Sequence, residues 1–546
     1  MDNNNSYIRS LFILFLFLSL YSIIAINLYF IQIKKTVFFK ELADKQYNVT
    51  IQTYPPRGLI TDRNKKAIAI NTDSSAAFIL PKELLNKEQT LSFLKKNFPS
   101  AYQRFKSYKN KSFMFVKRNL DPEDIQLIQN SQIPDLYLLK ESSRFYPYES
   151  LGSIIGITDI DNNGLFGIEQ LCNSQLQGTP SIYHLKKNAK NKHFYFSQET
   201  ATQGENACPI TLTIDADLQF KFQQIIDQSI EKLKAKEAAA LAMDPITGEI
   251  YAMVSWPYFN PNQTKNLDLE TTKNRPLSEC FEAGSVIKVF AALAALEENI
   301  VTIDEIIDCE GRKETKIDHL PVRTVIAQGA IPFMDVIKFS NNIGMVKVTK
   351  KLGSDLYKYY TLLGFGSLTG INFPGEQKGF VNPPQNWSAY SLRSLSFGYE
   401  ITTNLLQLAR AFSVLINGGY LVTPTIIKTD TIKKEGPIIS QKTISTLSSI
   451  LEETIQNGSG KQAKIDGYKI LGKTGTANLL VNGNYDDDKH LYTFIGSIEY
   501  NNYKRVVVVY IKETKTIAYA SIIAAPLFRA LAEAMIMHDH IFIEKD

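Results

Sequence analysis

The sequence predicts a multi-domain α+β protein with one N-terminal transmembrane helix, an irregular N-terminal α+β pedestal domain and a C-terminal domain in which helices flank an antiparallel sheet. Three observations support this fold class. The chain has 546 residues, of which 44% are apolar and 21% charged, as in globular proteins large enough for several cores. An uncharged, mostly apolar stretch runs from Ser10 to Gln32. Strand patterns stand near both ends of the C-terminal part, with helical patterns between them.

Composition and charge exclude several classes of function. Lys and Arg number 60 against 55 Asp and Glu, so the formal charge of +5 is too balanced for a general nucleic-acid binder, which needs a concentrated basic face. The cysteines are too few for a disulfide framework, and none forms the Cys-x-x-Cys pair of a zinc ribbon or a thioredoxin-type site. One or two disulfides remain open among Cys172, Cys208, Cys280 and Cys309.

The stretch from Ser10 to Gln32 is long enough to cross a bilayer, because a transmembrane helix needs about 20 apolar residues. A cleaved signal peptide would have a shorter apolar core and a cleavage site of small residues, and 25–29 is a poor site of that kind. We therefore predict a retained transmembrane anchor over 11–31 after a cytoplasmic tail over 1–10. The flanking charges weakly favour the opposite orientation, but long domains cross membranes largely regardless of such charges.

The remaining chain divides into two predicted domains, an irregular N-terminal pedestal over 32–205 and a second domain over 206–546. The first shows short strands, short helices and many turns. In the second, Leu218 to Lys236 has the apolar spacing of an amphipathic helix, and two apolar runs joined by the turn Asp244 to Gly248 predict a β-hairpin. Further strands are predicted over 493–500 and 503–511, and a last long helix over 521–537. This order indicates one antiparallel sheet covered by helices.

Ser285 and Lys288 form a Ser-x-x-Lys pair directly after Gly284. If Gly284 marks the start of a helix, the two side chains lie one turn apart on the same face. A serine hydroxyl needs a base within hydrogen-bond reach to become a nucleophile, and a desolvated lysine with a lowered pKa can be that base. The same spacing at Ser92 and at Ser229 is interpreted as exposed helix, so the pair alone is weak evidence.

Two further segments carry polar groups that suit peptide chemistry. Ser340 and Asn342 could relay a proton and hold a substrate peptide, although a polar loop or a helix cap would have the same residues. In Lys473 to Thr476, the glycine would allow close approach of another backbone, the lysine would supply positive potential and the two threonines could bind a carboxylate. An ordinary strand with exposed Lys and Thr is the alternative.

The three segments in this order are far more specific than any one of them. Ser-x-x-Lys, Ser-x-Asn and Lys-Thr-Gly are the signature of serine β-lactamases and penicillin-binding proteins. The chain resembles a class B penicillin-binding protein, a peptidoglycan D,D-transpeptidase, and most closely the septal (FtsI-type) branch. The resemblance implies a penicillin-binding/β-lactamase-like transpeptidase domain over 206–546.

The resemblance extends over nearly the whole chain. Pro56 to Arg63 is similar to the N-terminal Pro-Arg-Gly-x-Ile-x-Asp-Arg box of the family, and it implies buried charge pairs among Arg57, Arg144 and Glu169 where the pedestal meets the catalytic domain. Ser396 to Tyr399 resembles the septal branch. Glu400, however, stands where relatives commonly have glycine, which puts local substrate contacts in doubt.

On the matching residues, the resemblance implies an acyl-enzyme mechanism. Ser285 attacks the carbonyl of the penultimate D-Ala of a stem peptide and Lys288 accepts its proton, while Ser340 passes a proton toward the leaving D-Ala. The backbone N–H groups of Ser285 and Thr476 form the oxyanion hole. The residues implied to bind substrate are Asn342, Lys473, Thr474, Gly475 and Thr476. The acyl group then passes to an amine of a neighbouring stem peptide, without a cofactor or a metal.

The implied partners and location follow from this substrate. Stem peptides and β-lactams would bind at Ser285, and no nucleic acid would bind. The chain would sit in the cytoplasmic (inner) membrane by a single span, with its bulk on the periplasmic side. A multi-span glycan polymerase of the division machinery would contact the anchor through its small and polar residues, Ser19, Ser22, Ala25 and Asn27. A lipid-facing tether is the alternative role of the anchor.

Two rival functions remain open at this point. A D,D-carboxypeptidase or β-lactamase would use the same acylation chemistry with water as the acceptor, but the large N-terminal region would then have no explanation. A β-lactam sensor or division scaffold would keep the site without needing its turnover. Cross-linked muropeptide dimers would favour transfer, and trimmed monomers would favour hydrolysis.

Overall fold

The computed structural model of the protein describes residues 2–82, 84–111, 113–187, 194–516 and 518–543. The chain forms two compact units, of which one comprises Met1–Arg57 and Gln177–Cys208 and the other Gly58–Leu176 and Pro209–Asp546. Residues 58–176 group with the C-terminal part because Ile60 and Leu151 belong to the same buried cluster as Leu241. The domain limits predicted at 32 and 206 stay predictions.

The first unit begins with a long apolar helix. Helix Asp2–Tyr29 continues into a π-helical turn, Phe30–Lys34, and a separate helix over Thr36–Tyr47 follows. Over Ser6–Lys34 this helical segment is long and apolar enough to cross a membrane, and its apolar window is not buried by protein. The unit also contains an antiparallel sheet in which Ser181–Lys187 lies between two other strands, Asn48–Thr53 and Phe194–Thr202.

In the second unit, residues 58–176 build a small α+β layer. Strand Ala67–Ile79 lies between Met114–Lys117 and Ile60–Thr61, and Ile60–Thr61 pairs in parallel with Ile210–Thr211. Strand Tyr137–Phe145 also pairs with the long strand. The helices that cover this layer are Lys87–Asn97, Pro99–Tyr108 and Pro122–Ser131. The parallel pair connects this layer directly to the start of the C-terminal segment 209–546.

The central sheet of the second unit has five strands, all antiparallel. Their spatial order is Ile250–Trp256, Glu237–Met243, Tyr503–Lys512, Asn484–Tyr500 and Lys469–Val481. The predicted hairpin, the predicted C-terminal strands and the antiparallel sheet are thereby confirmed. Lys469–Val481, which carries the lysine motif, is an edge strand.

The two faces of this sheet pack against different helices because side chains alternate along a strand. In Glu237–Met243 the side chains at 238, 240 and 242 share a core with helices Ala216–Leu233 and Ala520–His538. Those at 239, 241 and 243 share a core with the helices of the opposite face. Ala520–His538 is also long and apolar enough to cross a membrane, but 56% of its window is buried, so it is a core helix of this unit.

A helical layer on the opposite face carries the two remaining motif segments. Its buried central helix is Lys288–Glu297, which follows a 3₁₀ turn over Gly284–Ile287. The other α-helices of this layer are Phe333–Lys338, Asn342–Leu352, Asp355–Leu362, Ser391–Ser396, Leu405–Ser413 and Gln441–Asn457. A two-stranded hairpin, Glu314–Ile317 with Leu320–Arg323, projects beside Asn342–Leu352.

A buried ion pair fixes residues 58–176 internally. Arg144 donates from Nε to Glu169 Oε1 at 2.7 Å, and the two side chains are 2% and 0% exposed. The same guanidinium donates from Nη2 to the carbonyl oxygen of Gly58 at 2.8 Å, so it also ties the strand to the start of the segment. The charge pair predicted for Arg144 and Glu169 therefore exists. Arg57 belongs to the first unit, and its predicted pairing stays a prediction.

Glu169→Ala is expected to lower the free energy of unfolding by about 3–5 kcal/mol, because it leaves the Arg144 charge buried without its partner. Glu314→Ala serves as the control, since the pair of Glu314 with Arg323 is 52% and 80% exposed and such pairs contribute about 0–1 kcal/mol. Chemical denaturation of the purified chain measures both. Equal losses in the two variants would contradict the structural role given to Glu169.

Candidate active site

The predicted nucleophile lies in a tight turn. Gly284–Ile287 is 3₁₀-helical and leads directly into the α-helix Lys288–Glu297. In a 3₁₀ turn the side chains at i and i+3 eclipse each other, so Ser285 and Lys288 lie on the same face, as the sequence predicts. Ser285 is partly accessible, whereas Lys288 is completely buried.

The Lys288 ammonium is held by groups from the second motif. Its Nζ donates to the carbonyl oxygen of Ser340 at 2.7 Å, to Ser340 Oγ at 3.1 Å and, in a short contact, to Asn342 Oδ1. All three donor positions of the ammonium are thus used within one loop. The structure therefore brings Lys288, Ser340 and Asn342 into direct contact.

The loop that presents these acceptors has an unusual backbone. Ser340 adopts φ +60°, a left-handed conformation that costs a residue with a Cβ about 1 kcal/mol or more. In that conformation its carbonyl and its hydroxyl both face the lysine. Asn341 then caps helix Asn342–Leu352 by accepting from the Gly344 N–H at 3.0 Å. The helix cap is Asn341, so Asn342 is free of that structural role.

The third motif lies on the edge strand of the central sheet. Lys473, Thr474 and Thr476 pair across to 495, 494 and 492 of the neighbouring strand. Lys473 is fully buried and donates to the Thr474 carbonyl oxygen at 3.2 Å. The hydroxyl of Thr474 lies 3.4 Å from that of Ser459, and Thr476 Oγ1 accepts from the Ala520 N–H at 3.2 Å. Both threonine hydroxyls are thereby oriented.

Gly475 lets this strand touch the nucleophile turn. A Cβ built on Gly475 would stand 2.3 Å from the carbonyl oxygen of Ala283 and 2.8 Å from the Val286 side chain. Only glycine permits this approach, because both obstacles belong to a buried turn. The backbone of the lysine motif therefore lies against the backbone that carries Ser285.

Burial controls the protonation of both lysines. Burial first, and then the charge of Lys473, hold the pKa of Lys288 well below its ordinary value of 10.5. Burial lowers the pKa of Lys473 to about 7. A lysine whose pKa is lowered loses its own proton more readily and can then accept another, so the site contains the type of base that an activated serine needs.

One predicted contact is not formed. No hydrogen bond joins the Ser285 hydroxyl to Lys288, and within the described ranges that hydroxyl has no hydrogen-bond partner. The physical reason is that the three donor positions of the Lys288 ammonium point to the loop of Ser340 and Asn342. Catalytic hydrogen bonds are often loose without substrate, so the proton-transfer role of Lys288 stays a prediction.

Three residues that hold the site were not found from the sequence. The Asn342 amide Nδ2 donates to the carbonyl oxygen of Arg323 at 2.7 Å, and its backbone N–H points to Thr324 Oγ1 at 3.4 Å. Ser459 contacts Thr474 as described above. Arg323 acts through a carbonyl oxygen, which carries no sequence signal, and Thr324 is one hydroxyl of many. The flanking glycines of Ser459 were a usable signal of a tight loop.

No side-chain cluster in the described ranges suits a metal ion. No group of three or more His, Cys, Asp or Glu side chains occurs there. Of the four cysteines whose pairing the sequence left open, Cys208, Cys280 and Cys309 are free thiols.

Comparison with known proteins identifies the family. The model of the penicillin binding protein transpeptidase domain matches residues 238–533, which is more than half of the chain and contains all three motif segments. The chain belongs to this family. The model of the penicillin-binding protein dimerisation domain matches residues 52–212. The family and the fold class predicted from the motifs are therefore confirmed, and the chain is an enzyme of the transpeptidase class.

Individual relatives cover most of the chain. Stage V sporulation protein D of Bacillus subtilis is 29% identical over 542 residues, covering 95% of this chain and 84% of that protein. The peptidoglycan D,D-transpeptidase FtsI of Buchnera aphidicola is 30% identical over 503 residues, covering 88% and 86%. The solved structure of penicillin binding protein 3 of Mycobacterium tuberculosis in complex with aztreonam superposes with a TM-score of 0.68 at 23% identity, over 91% of this chain and 98% of that chain. At this identity the superposition shows the fold.

A second glycine contact beside the nucleophile turn can be tested by mutation. Gly398, in the Ser396 to Tyr399 loop, has φ +94°, and a Cβ there would stand 2.1 Å from the carbonyl oxygen of Gly284. We expect Gly398→Ala to lower the free energy of unfolding by about 2–4 kcal/mol, because backbone strain and overpacking add.

Gly483→Ala is the matched control. Gly483 has φ +83° but no heavy atom within 4 Å of its added Cβ, so only the strain of about 1–2 kcal/mol applies. Denaturant unfolding compares the two variants. If Gly398→Ala cost no more than Gly483→Ala, the close contact between the loop and the turn would be disproved.

Proposed function

We propose that the chain is a serine D,D-transpeptidase that cross-links peptidoglycan stem peptides through an acyl-enzyme on Ser285. One observation carries this proposal: a completely buried lysine with a lowered pKa lies on the same turn as a partly accessible serine and contacts the Ser340 hydroxyl. A lysine with a lowered pKa on the same turn as a serine supports activation of that serine by the lysine.

In the acylation step, Ser285 Oγ attacks the carbonyl carbon of the penultimate D-Ala. Its proton passes to the neutral Lys288 amine, while the Oγ–C bond forms and the carbonyl becomes an oxyanion. The backbone N–H groups of Ser285 and Thr476 stabilise this oxyanion, and a donor of this kind contributes about 3 kcal/mol. The contact between Gly475 and the nucleophile turn supports this assignment, because it brings the two N–H-bearing segments together.

Collapse of the tetrahedral intermediate expels the terminal D-Ala. Its nitrogen must gain a proton as the C–N bond breaks, and Ser340 Oγ passes that proton from Lys288. The 3.1 Å distance between Lys288 Nζ and Ser340 Oγ supports this relay. Lys473 assists by its positive potential.

The substrate-binding residues hold the donor peptide in the cleft. Asn342 binds the peptide backbone through its carboxamide, and Thr474 and Thr476 bind the terminal carboxylate. Gly475 permits the peptide and the nucleophile turn to approach the same strand. An amine of a neighbouring stem peptide then attacks the carbonyl carbon of the acyl-enzyme. The proton that the amine loses passes through Lys288 to Ser285 Oγ as the ester C–O bond breaks, so the cross-link forms and the free serine is regenerated. A β-lactam acylates Ser285 in the same way, because its strained amide resembles the D-Ala-D-Ala bond.

The proposal includes a location. The helix over Ser6–Lys34 holds the predicted anchor at 11–31, with the tail 1–10 in the cytoplasm and the bulk of the chain in the periplasm beside its substrate. The pedestal comprises 32–205 and the catalytic domain 206–546. We assign the enzyme to septal wall synthesis, where a multi-span glycan polymerase would pack on the anchor. The relative named FtsI supports the septal assignment.

Ser285→Ala is expected to abolish covalent labelling by a fluorescent penicillin and formation of cross-linked muropeptide dimers. The matched control is Ser229→Ala, which alters the other Ser-x-x-Lys spacing on helix Ala216–Leu233, where the hydroxyl only bonds the Ile225 carbonyl oxygen at 2.8 Å. This control should label like wild type. Labelling of a folded Ser285→Ala chain would refute the nucleophile, and trimmed monomers instead of dimers from wild type would refute transfer.

The pH dependence of acylation tests the base. The rate should rise with pH as Lys288 loses its proton, and this rise should lie well below pH 10.5 because burial lowers the pKa of Lys288. Lys473→Met removes a positive charge that lowers the pKa of Lys288, so the rise should move to higher pH.

Lys469→Met is the control for this shift, because Lys469 lies on the same strand but its side chain is 45% exposed. Penicillin acylation rates measured from acid to alkaline pH compare the three proteins. An unmoved profile in Lys473→Met would show that its charge does not act on the base.

A further inference from the structure

Glu282, three residues before the nucleophile, connects three segments of the active site. Its carboxylate Oε1 accepts from the backbone N–H of Glu400 at 2.9 Å and from the Tyr485 hydroxyl at 3.1 Å. Glu400 follows the Ser396 to Tyr399 loop, and Tyr485 lies on the strand after the lysine motif. One carboxylate therefore joins the nucleophile segment to both of its neighbours.

Tyr485, which donates to Glu282, is in turn connected through Tyr399 to the strand that carries Lys473 to Thr476. The Tyr485 ring meets the Tyr399 ring edge to face at 5.0 Å between centroids. The Tyr399 hydroxyl accepts from the Asn478 N–H at 3.3 Å, two residues beyond Thr476. A displacement of Glu282 would thus be transmitted to the strand that carries Lys473 to Thr476.

The backbone contacts around the turn resist movement in one direction only. Gly475 and Gly398 each stand so close to the turn that a Cβ would be 2.3 Å or less from one of its carbonyl oxygens. Such contacts prevent further approach, but they do not prevent separation. The hydrogen bonds of Glu282, with the backbone pair of Phe281 and Thr403 at 3.0 and 2.9 Å, supply the restraint in the opposite direction.

One of these hydrogen bonds is made by a residue in a strained backbone conformation. Glu400 has φ +57°, at the position where the family resemblance leads us to expect glycine. This conformation raises the free energy of a residue with a Cβ by about 1–2 kcal/mol. In it, the Glu400 N–H reaches Glu282, and the Glu400 carboxylate accepts from Asn382 Nδ2 at 2.6 Å. Strain that persists beside a reacting group points to a functional contact.

We infer that Glu282 is a positioning residue for acylation: as a hydrogen-bond acceptor, it holds the Ser285 turn at a fixed separation from the Lys473 to Thr476 strand. This inference rests on the proposed function. It does not require the negative charge of Glu282, because an amide oxygen at the same place accepts the same two hydrogen bonds. Misplacement of reacting groups by about 1 Å costs roughly a hundredfold in rate.

The test measures acylation of the full-length chain by a fluorescent penicillin, with the limiting rate separated from the concentration dependence. Glu282→Ala should lower the limiting rate about ten- to a hundredfold, while the half-saturating concentration changes less than about threefold. Glu282→Gln should restore the rate to within about threefold of wild type, because the acceptor is retained. Tyr485→Phe, which removes one of the two donors, should lie between wild type and Glu282→Ala.

Glu279→Ala is the control for loss of a nearby carboxylate, since Glu279 pairs with Lys512 at 3.0 Å and bonds neither Glu400 nor Tyr485. It should acylate like wild type. A Glu282→Gln chain as slow as Glu282→Ala would overturn the inference, because the charge and not the acceptor would then matter. A Glu282→Ala chain with the wild-type limiting rate would also overturn it.

Two further outcomes separate this inference from the proposed function. If the wild-type chain is labelled at Ser285 and Glu282→Ala is labelled equally fast, only the inference fails. If the wild-type chain is not labelled, the proposed function fails and the inference with it. Thermal unfolding of each variant shows whether a slow rate arises from loss of the fold, and a slow Glu282→Ala chain rescued by Glu282→Gln at equal stability supports positioning.

Discussion

The burial of a single lysine, Lys288, is the constraint on which the rest of the active site depends. An ammonium removed from water costs several kcal/mol unless it is hydrogen-bonded on all sides. The fold meets this cost with the carbonyl and hydroxyl of Ser340 and the carboxamide oxygen of Asn342, which all face Nζ. The left-handed Ser340, the Asn341 cap and the start of helix Asn342–Leu352 follow from that requirement. The pKa of the amine is still held well below its ordinary value, because burial and the charge of Lys473 outweigh these hydrogen bonds.

A second constraint is the close contact between the backbone at Gly475 and the backbone of the nucleophile turn. The edge strand Lys469–Val481 is held in register by its neighbour, and it touches the nucleophile turn only because Gly475 has no Cβ. The sheet therefore fixes the position of this strand beside the nucleophile turn. In the proposed reaction, the helical layer supplies the nucleophile and the base, while the sheet supplies the strand against which the donor peptide is held. Functional residues placed on regular elements of this kind keep their geometry better than residues on loops.

The sequence predicted the elements whose pattern is local. Two apolar runs on either side of a Pro/Gly turn identified the hairpin of Glu237–Met243, and a β-branched apolar run identified the strand Tyr503–Lys512. The apolar spacing identified helix Ala216–Leu233. The three motifs identified the family and predicted the candidate site, because residue type and order both matter there. Contacts made by backbone atoms could not be predicted in this way, because they depend on no particular side chain. The hydrogen bond between the Arg323 carbonyl oxygen and Asn342 is an example. The grouping of 58–176 with the C-terminal part could not be predicted from the sequence either, because it depends on long-range packing around Ile60 and Leu151.

The two buried lysines must divide their roles, because they repel each other and, in the described part of the chain, no carboxylate forms an ion pair with either. Burial lowers the pKa of Lys473 to about 7, and burial together with the charge of Lys473 holds the pKa of Lys288 well below its ordinary value. In the proposed reaction Lys288 is the base and Lys473 is the cation. A carboxylate bound at Thr474 and Thr476 would favour the protonated form of Lys473. By keeping that charge in place, it would further favour the neutral form of Lys288. In the proposed reaction, binding of the donor peptide would thus favour the neutral base when the nucleophile has a carbonyl to attack.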